Sequence, residues 1–183
     1  MRLAAKLSAM KRVLTLAALS LSTAVLAQSS TIKVGDLPLS VDLGGKISML
    51  NDAWIRKAYP RFDGRPDAVF RTEDGRVTTT FQWREAKLAP AEVERLAAEY
   101  PAVLKSQVPG LKSLKASVLQ LNGKNWGQVI LTAPGQKDDL RREMLMTSLA
   151  GRMLVVTIQS NVKDFSKNEA QVRAFTSSLK ALE

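Results

Sequence analysis

The stretch VLQLNGKNWGQVILTAP, residues 118–134, decides how this chain is read. Asn122-Gly123 separates two runs of apolar and polar alternation, and an Asn-Gly pair supplies the positive φ angles that a tight two-residue hairpin needs. Strands are therefore predicted over residues 114–121 and 124–133. The next apolar segment, REMLMTSLAGRMLVVTIQS at residues 142–160, repeats the device. Residues 141–149 read as a strand and Ala150-Gly151-Arg152 as a turn. Residues 153–158 are apolar on both faces, as a central strand must be.

Working outward, Leu39, Val41 and Leu43 alternate, Gly44-Gly45 turns the chain, and Ile47 and Met49 resume, which predicts a short hairpin. Residues 51–66 read as an irregular connection. Strands follow at residues 68–72 and 76–84 around Glu73-Asp74-Gly75, with Val77, Thr79, Phe81 and Trp83 on one face. Pro90 suits a first helical turn. Val93, Leu96, Ala97, Tyr100 and Leu104 then recur at helical spacing. Pro101 is expected to kink or shorten that helix, and Pro109-Gly110 to end it. Ser166 with Glu169 reads as a capping box for a last helix whose stripe is Val172, Phe175, Leu179 and Leu182. Strands joined by hairpins pair antiparallel, and two amphipathic helices must each cover part of a sheet, so the class is α+β.

The beginning of the chain reads as an address. Lys11 and Arg12 precede an uncharged run, and Val25-Leu26-Ala27 closes it with the small residues that signal peptidase needs. Residues 1–27 are expected to be a secretory signal peptide, residues 28–36 a flexible tail, and residues 37–183 a single α+β binding domain. The run falls short of the roughly 20 apolar residues of a membrane span, so no transmembrane segment is expected after its removal. Met10, just before Lys11, offers an alternative start. The periplasm is the expected compartment, with secretion beyond the cell as the alternative. With no cysteine, neither a disulfide nor a cysteine-borne lipid anchor is available.

The whole chain carries a formal charge of +10. Residues 1–27 hold Arg2, Lys6, Lys11 and Arg12 and no acid, which leaves +6 without them. A basic balance favours acidic partners: a protein with a negative face, lipid head groups or anionic glycans. Nucleic acid is not expected in that compartment.

The chain contains no histidine and no cysteine. Ser-His-Asp and Cys-His catalysis and nitrogen–sulfur zinc sites are therefore excluded. The Ser-Lys neighbours Lys105-Ser106 and Ser166-Lys167 point apart on regular structure, and a dyad needs them together. Asp138, Asp139 and Glu143 read as a solvated turn and a cross-strand ion pair with Arg141 or Arg142 rather than as the two carboxylates of a glycosidase. Asp138-Asp139 also lacks the spaced oxygens of a calcium loop. No catalytic, metal or cofactor residue is expected, and the protein reads as a non-enzyme.

Binding features are better represented. The segment WIRKAYPRFDGRP, residues 54–66, interleaves Trp54, Tyr59 and Phe62 with Arg56, Lys57, Arg61 and Arg65. Long ordered connections in compact domains are often functional, and tryptophan and arginine are favoured at interface hot spots. These seven residues are the candidate partner-binding set. The competing reading has Trp54 and Phe62 capping the sheet's end while the cations face solvent. Lys105, Lys112, Lys115 and Lys124 read as a solvated face, and Trp83 and Trp126 as core.

The hairpin at residues 118–134, the strand pair at 142–160 and the closing segment EAQVRAFTSSLKAL at 169–182 together resemble the PsbP-like superfamily, with bacterial periplasmic relatives of the DcrB type. Ser178-Leu179-Lys180 is similar to that family's closing phrase. The resemblance spans roughly residues 37–182. It implies an α/β/α sandwich around an antiparallel β-sheet with two packing helices, and a non-catalytic binding or assembly role. DcrB-type proteins resemble lipoproteins, whereas this chain has no anchoring cysteine. The expected function is an exported, non-enzymatic binding protein that recognises an acidic protein or envelope partner through basic, aromatic loops. Two alternatives are an immunity protein against a periplasm-delivered toxin, and an envelope-stress or transport accessory factor that binds anionic lipid.

Overall fold

The computed structural model describes residues 30–107 and 110–182, so the leader read over residues 1–27 lies outside the described residues. In chain order the elements begin with β1 (Thr31–Lys33), β2 (Leu39–Asp42), β3 (Ile47–Met49), α1 (Asp52–Ala58), β4 (Ala68–Thr72) and β5 (Thr78–Lys87). After a 3-10 turn at Pro90–Glu92 come α2 (Val93–Gln107), β6 (Lys112–Leu121), β7 (Lys124–Ala133), β8 (Leu140–Leu149), β9 (Arg152–Asn161), α3 (Val162–Ser177) and β10 (Lys180–Ala181). Seven strands form one antiparallel sheet in the order β3-β4-β5-β9-β8-β7-β6, and β1-β2-β10 form a second, small one.

Asn122 and Gly123 take φ of 46° and 81°, the left-handed pair of a type I′ turn. The Asn122 side-chain amide also donates to the carbonyls of Ser177 (3.0 Å) and Leu179 (2.9 Å), so the hairpin tip is fastened to the end of α3. Ser178 Oγ accepts from the Asp42 N–H at 2.8 Å and donates to the Phe175 carbonyl at 2.7 Å. Leu179 enters the core. The closing phrase thus joins α3, β2 and the β6–β7 turn.

The two faces of the large sheet are covered differently. On one, α2 lies over β6, β7 and β8, and Val129, Leu131, Met144, Met146 and Val155 meet Leu96, Tyr100 and Leu104. The approach is close: a Cβ on Gly127 would stand 2.9 Å from that of Ala97 and 3.2 Å from the Val93 carbonyl. On the other face, Phe175 of α3 meets Phe70 and Phe81 at centroid distances of 5.2 and 6.3 Å, and these two meet each other at 5.3 Å. The small sheet shares that layer, adding Leu39 and Val41 to a core with Trp126, Leu145 and Leu154. The result is the expected α/β/α arrangement.

Several local readings are corrected. Thr31–Lys33, placed in a tail, is a strand paired with β2. The predicted hairpin of residues 39–49 does not form, because β2 pairs with β1 and β10 while β3 pairs with β4. Alternation reports an extended backbone but not its partner. The connection at 51–66 contains α1, with Asn51 Oδ1 accepting from the Trp54 N–H at 2.9 Å. Pro101 stays inside α2, buried on the stripe of Val93 and Ala97, and the helix runs on to Gln107. The Ser166 capping box is absent: α3 starts four residues earlier, and Ser166 Oγ donates to the Val162 carbonyl at 3.5 Å. Leu182 is exposed, since the chain has left the helix by then.

A charged cluster lies beneath α3. Glu143 on β8 is fully buried, accepting from Arg141 Nη2 (2.7 Å), Arg173 Nη1 of α3 (2.6 Å) and Gln128 Nε2 of β7 (2.6 Å). Burial pushes the Glu143 carboxyl upward. Hydrogen bonds from Arg173 and Arg141 oppose this and prevail, leaving it below the usual carboxylate range. Its stabilisation is therefore present above the unfolded value of about 4.3 and is lost as pH falls through the folded value. Glu143→Gln leaves two arginines without their anion and is expected to cost about 3 kcal/mol at neutral pH. Urea unfolding should show that difference narrowing as pH drops below about 4; equal stability of the two proteins at neutral pH would contradict this account.

Candidate functional site

The face that carries α2 is wider than α2. Register pairing aligns Arg71 of β4, Thr78 of β5, Gln159 of β9, Arg142 of β8 and Leu131 of β7 in one row across it. The adjacent row is Val69, Thr80, Thr157, Met144 and Val129. In each row the residues turn apolar where α2 begins to cover them, and most of those beyond it are polar. The uncovered part is an open groove of about 490 Å³. Thr78, Thr80, Thr157 and Gln159 line its floor, and Trp54 and Tyr59 line it from α1 and the residue after it.

Arg71, Arg76 and Arg142 line this groove, and no aspartate or glutamate is among the described residues that do. The three cations differ in state. Arg76 Nη1 donates to Asp164 at 2.8 Å, with Asp74 at 3.9 Å from its Nε. The Asp164 hydrogen bond holds Arg76 above its ordinary value, and the Thr72 hydroxyl, followed by the Asn168 amide, holds Asp74 below its own. Arg71 stacks 5.2 Å from the Trp54 ring, and its buried Nε has no hydrogen-bond partner. Arg142 donates to Gln159 Oε1 at 3.2 Å. Among the described residues, neither Arg71 nor Arg142 has a carboxylate within 4.0 Å.

The structure divides the seven residues singled out in the sequence. Trp54 and Tyr59 reach the groove. Arg61 lines a smaller neighbouring hollow, Arg56 and Lys57 are exposed on the last turn of α1, and Phe62 is 83% exposed on the loop beyond. Arg65 is committed within its own loop: its Nε donates to the Tyr59 carbonyl (3.0 Å), its Nη2 to the Pro60 carbonyl (3.3 Å), and its guanidinium sits 5.8 Å from the Phe62 ring. Neither Trp54 nor Phe62 is buried as a cap of the sheet's end.

The groove's own cations were missed in the sequence. Their signal was the polar positions on one face of otherwise apolar strands, Thr157 and Gln159 alternating with Val156 and Ile158. The remaining candidates are dispersed. Ser106 bonds the Val103 carbonyl, Asp138 pairs with Lys163 at 3.2 Å, and Glu143 lies on the opposite face. Its partner Arg141 is on the same strand, so that ion pair is not the cross-strand one expected. Trp126 is core. Trp83 is half-buried, donating to the Leu149 carbonyl at 3.2 Å beneath Arg152.

No protein-family model and no curated protein matches the chain. Solved structures share its fold. Cyanobacterial PsbP from Synechocystis superposes with a TM-score of 0.54 at 10% identity, over 88% of this chain and 97% of that one. LpqN of Mycobacterium tuberculosis, described as involved in cell envelope biogenesis, gives 0.54 at 10% identity over 85% and 91%. The fold is PsbP-like.

The commitments of the α1 loop cations separate two outcomes. Arg65→Glu removes two hydrogen bonds to carbonyls, each worth about 1 kcal/mol, and should speed limited proteolysis between Pro60 and Gly64. The combined Arg56→Glu, Lys57→Glu, Arg61→Glu variant should keep stability within about 0.5 kcal/mol and resist protease like the parent. Indistinguishable digestion of the Arg65→Glu protein would refute the clamp.

Proposed function

We propose that this chain is an exported, non-catalytic binding protein that captures an acidic protein partner in the groove beside α1, on the part of the sheet that α2 leaves uncovered. One observation carries the reading: among the described residues no carboxylate lines this polar groove, which is edged by two aromatic side chains, and two of its three arginines, Arg71 and Arg142, have no carboxylate partner. Anionic groups entering it gain charge-assisted hydrogen bonds, and the positive balance of the chain speeds their encounter. Support for an envelope setting comes from the leader pattern at residues 1–27 and from the likeness in fold to LpqN. No helix among the described residues is long and apolar enough to cross a membrane. A delivered toxin and an anionic lipid surface are the competing occupants.

The test uses the purified protein with fluorescent poly-L-glutamate and with phosphatidylglycerol vesicles. Poly-L-glutamate should bind at low ionic strength and weaken at least about tenfold towards 1 M salt, where the screening length falls to about 3 Å. An Arg71→Gln, Arg142→Gln variant should lose it. Binding that survives in this variant places the site elsewhere, and vesicle binding without poly-L-glutamate binding favours the lipid reading. Turnover of an envelope substrate by the purified protein would overturn the non-catalytic assignment.

A further inference from the structure

Resting on that reading, we infer that the groove selects an extended acidic peptide segment whose two carboxylates stand four residues apart, one held by Arg71 and the other by Arg142. The backbone positions of these two arginines lie in a single cross-strand row, with Thr78 and Gln159 between them. Three strand spacings separate β4 from β8, about 14 Å at 4.8 Å each. An extended chain advances about 3.4 Å per residue, so positions i and i+4 lie about 14 Å apart. Side chains alternate faces along such a chain, so an even separation also points both carboxylates to the same side.

Arg76 does not take part, because Asp164 and Asp74 already neutralise it. Arg71 lies over the Trp54 ring, 5.2 Å from its centroid, and has no carboxylate within 4.0 Å among the described residues, so its charge is left to pair with a ligand carboxylate. Arg142 is exposed and makes a single side-chain bond, to Gln159. The Thr78 hydroxyl and Gln159 amide between them are neutral and can meet the peptide units of the spanning segment. The row therefore reads cation, neutral, neutral, cation, which complements an anion, neutral spacer, anion.

Equal-length, threonine-rich peptides with one glutamate, or with two at i,i+1, i,i+3 or i,i+4, separate spacing from charge. The three two-acid peptides have the same net charge. Calorimetric titration of the purified protein at low salt should give the i,i+4 peptide about tenfold tighter binding than its isomers, the scale of one further charge-assisted contact. Arg71→Gln and Arg142→Gln should each reduce that peptide to the level of the one-acid peptide, with unfolding midpoints showing that both variants fold. Equal affinity for all three two-acid peptides, lost in the double variant, overturns the spacing inference and leaves the acidic-partner reading intact. Failure to bind any acidic peptide or poly-L-glutamate overturns both.

Discussion

A mismatch of widths organises this molecule. Seven strands at about 4.8 Å span about 29 Å, whereas one helix with its side chains is about 10 Å across. α2 is the long helix on its face, and it rests on β6, β7 and β8. The strands beyond it must then carry side chains that tolerate water. They do so in register: Val129, Met144 and Leu131 give way to Thr157, Thr80, Gln159 and Thr78 within the same rows. The groove follows from this boundary, with α1 supplying its outer aromatic edge.

The opposite face meets the same demand by another route. α3 lies there together with the small sheet, and between them they bury a continuous aromatic and aliphatic core. Polar groups on that side include the Glu143 cluster and the contacts of Asp74 and Asp164, which tie α3 to β8 and to the β4–β5 hairpin. Breaking a buried ion pair is costly because one charge is left stranded. Polar groups on this face therefore fix the position of a helix, while those on the α2 face remain open to a ligand.

What was legible in the sequence was local. Asn122-Gly123 specified its turn because φ preference is a property of the residues themselves, and the apolar run of β9 marked a strand in the interior of the sheet, although Thr157 and Gln159 leave part of one face open. Pairing partners were not legible. Leu39 to Met49 alternates like a hairpin, yet the chain crosses from the small sheet to the large one at Gly44-Gly45. The groove escaped for the same reason. Arg71 and Arg142 become neighbours in a row only because β5 pairs with β9, a strand reached after α2 and three further strands. Trp54 and Tyr59 were found because aromatic and basic composition is visible without topology.

Charge alone does not identify a binding group here. Arg65, Arg76 and Arg173 all carry charge, but each is engaged: with loop carbonyls, with Asp164, or with Glu143. Arg71 and Arg142 stand on strands whose spacing is set by backbone hydrogen bonds, so the backbone positions that carry the two charges are fixed before a ligand arrives. Preorganisation of this kind reduces the entropy lost on association. A floor in the middle of a sheet also presents no unpaired backbone edge, so recognition there falls to side chains. Distance between charges is then the property that such a rigid floor reads best.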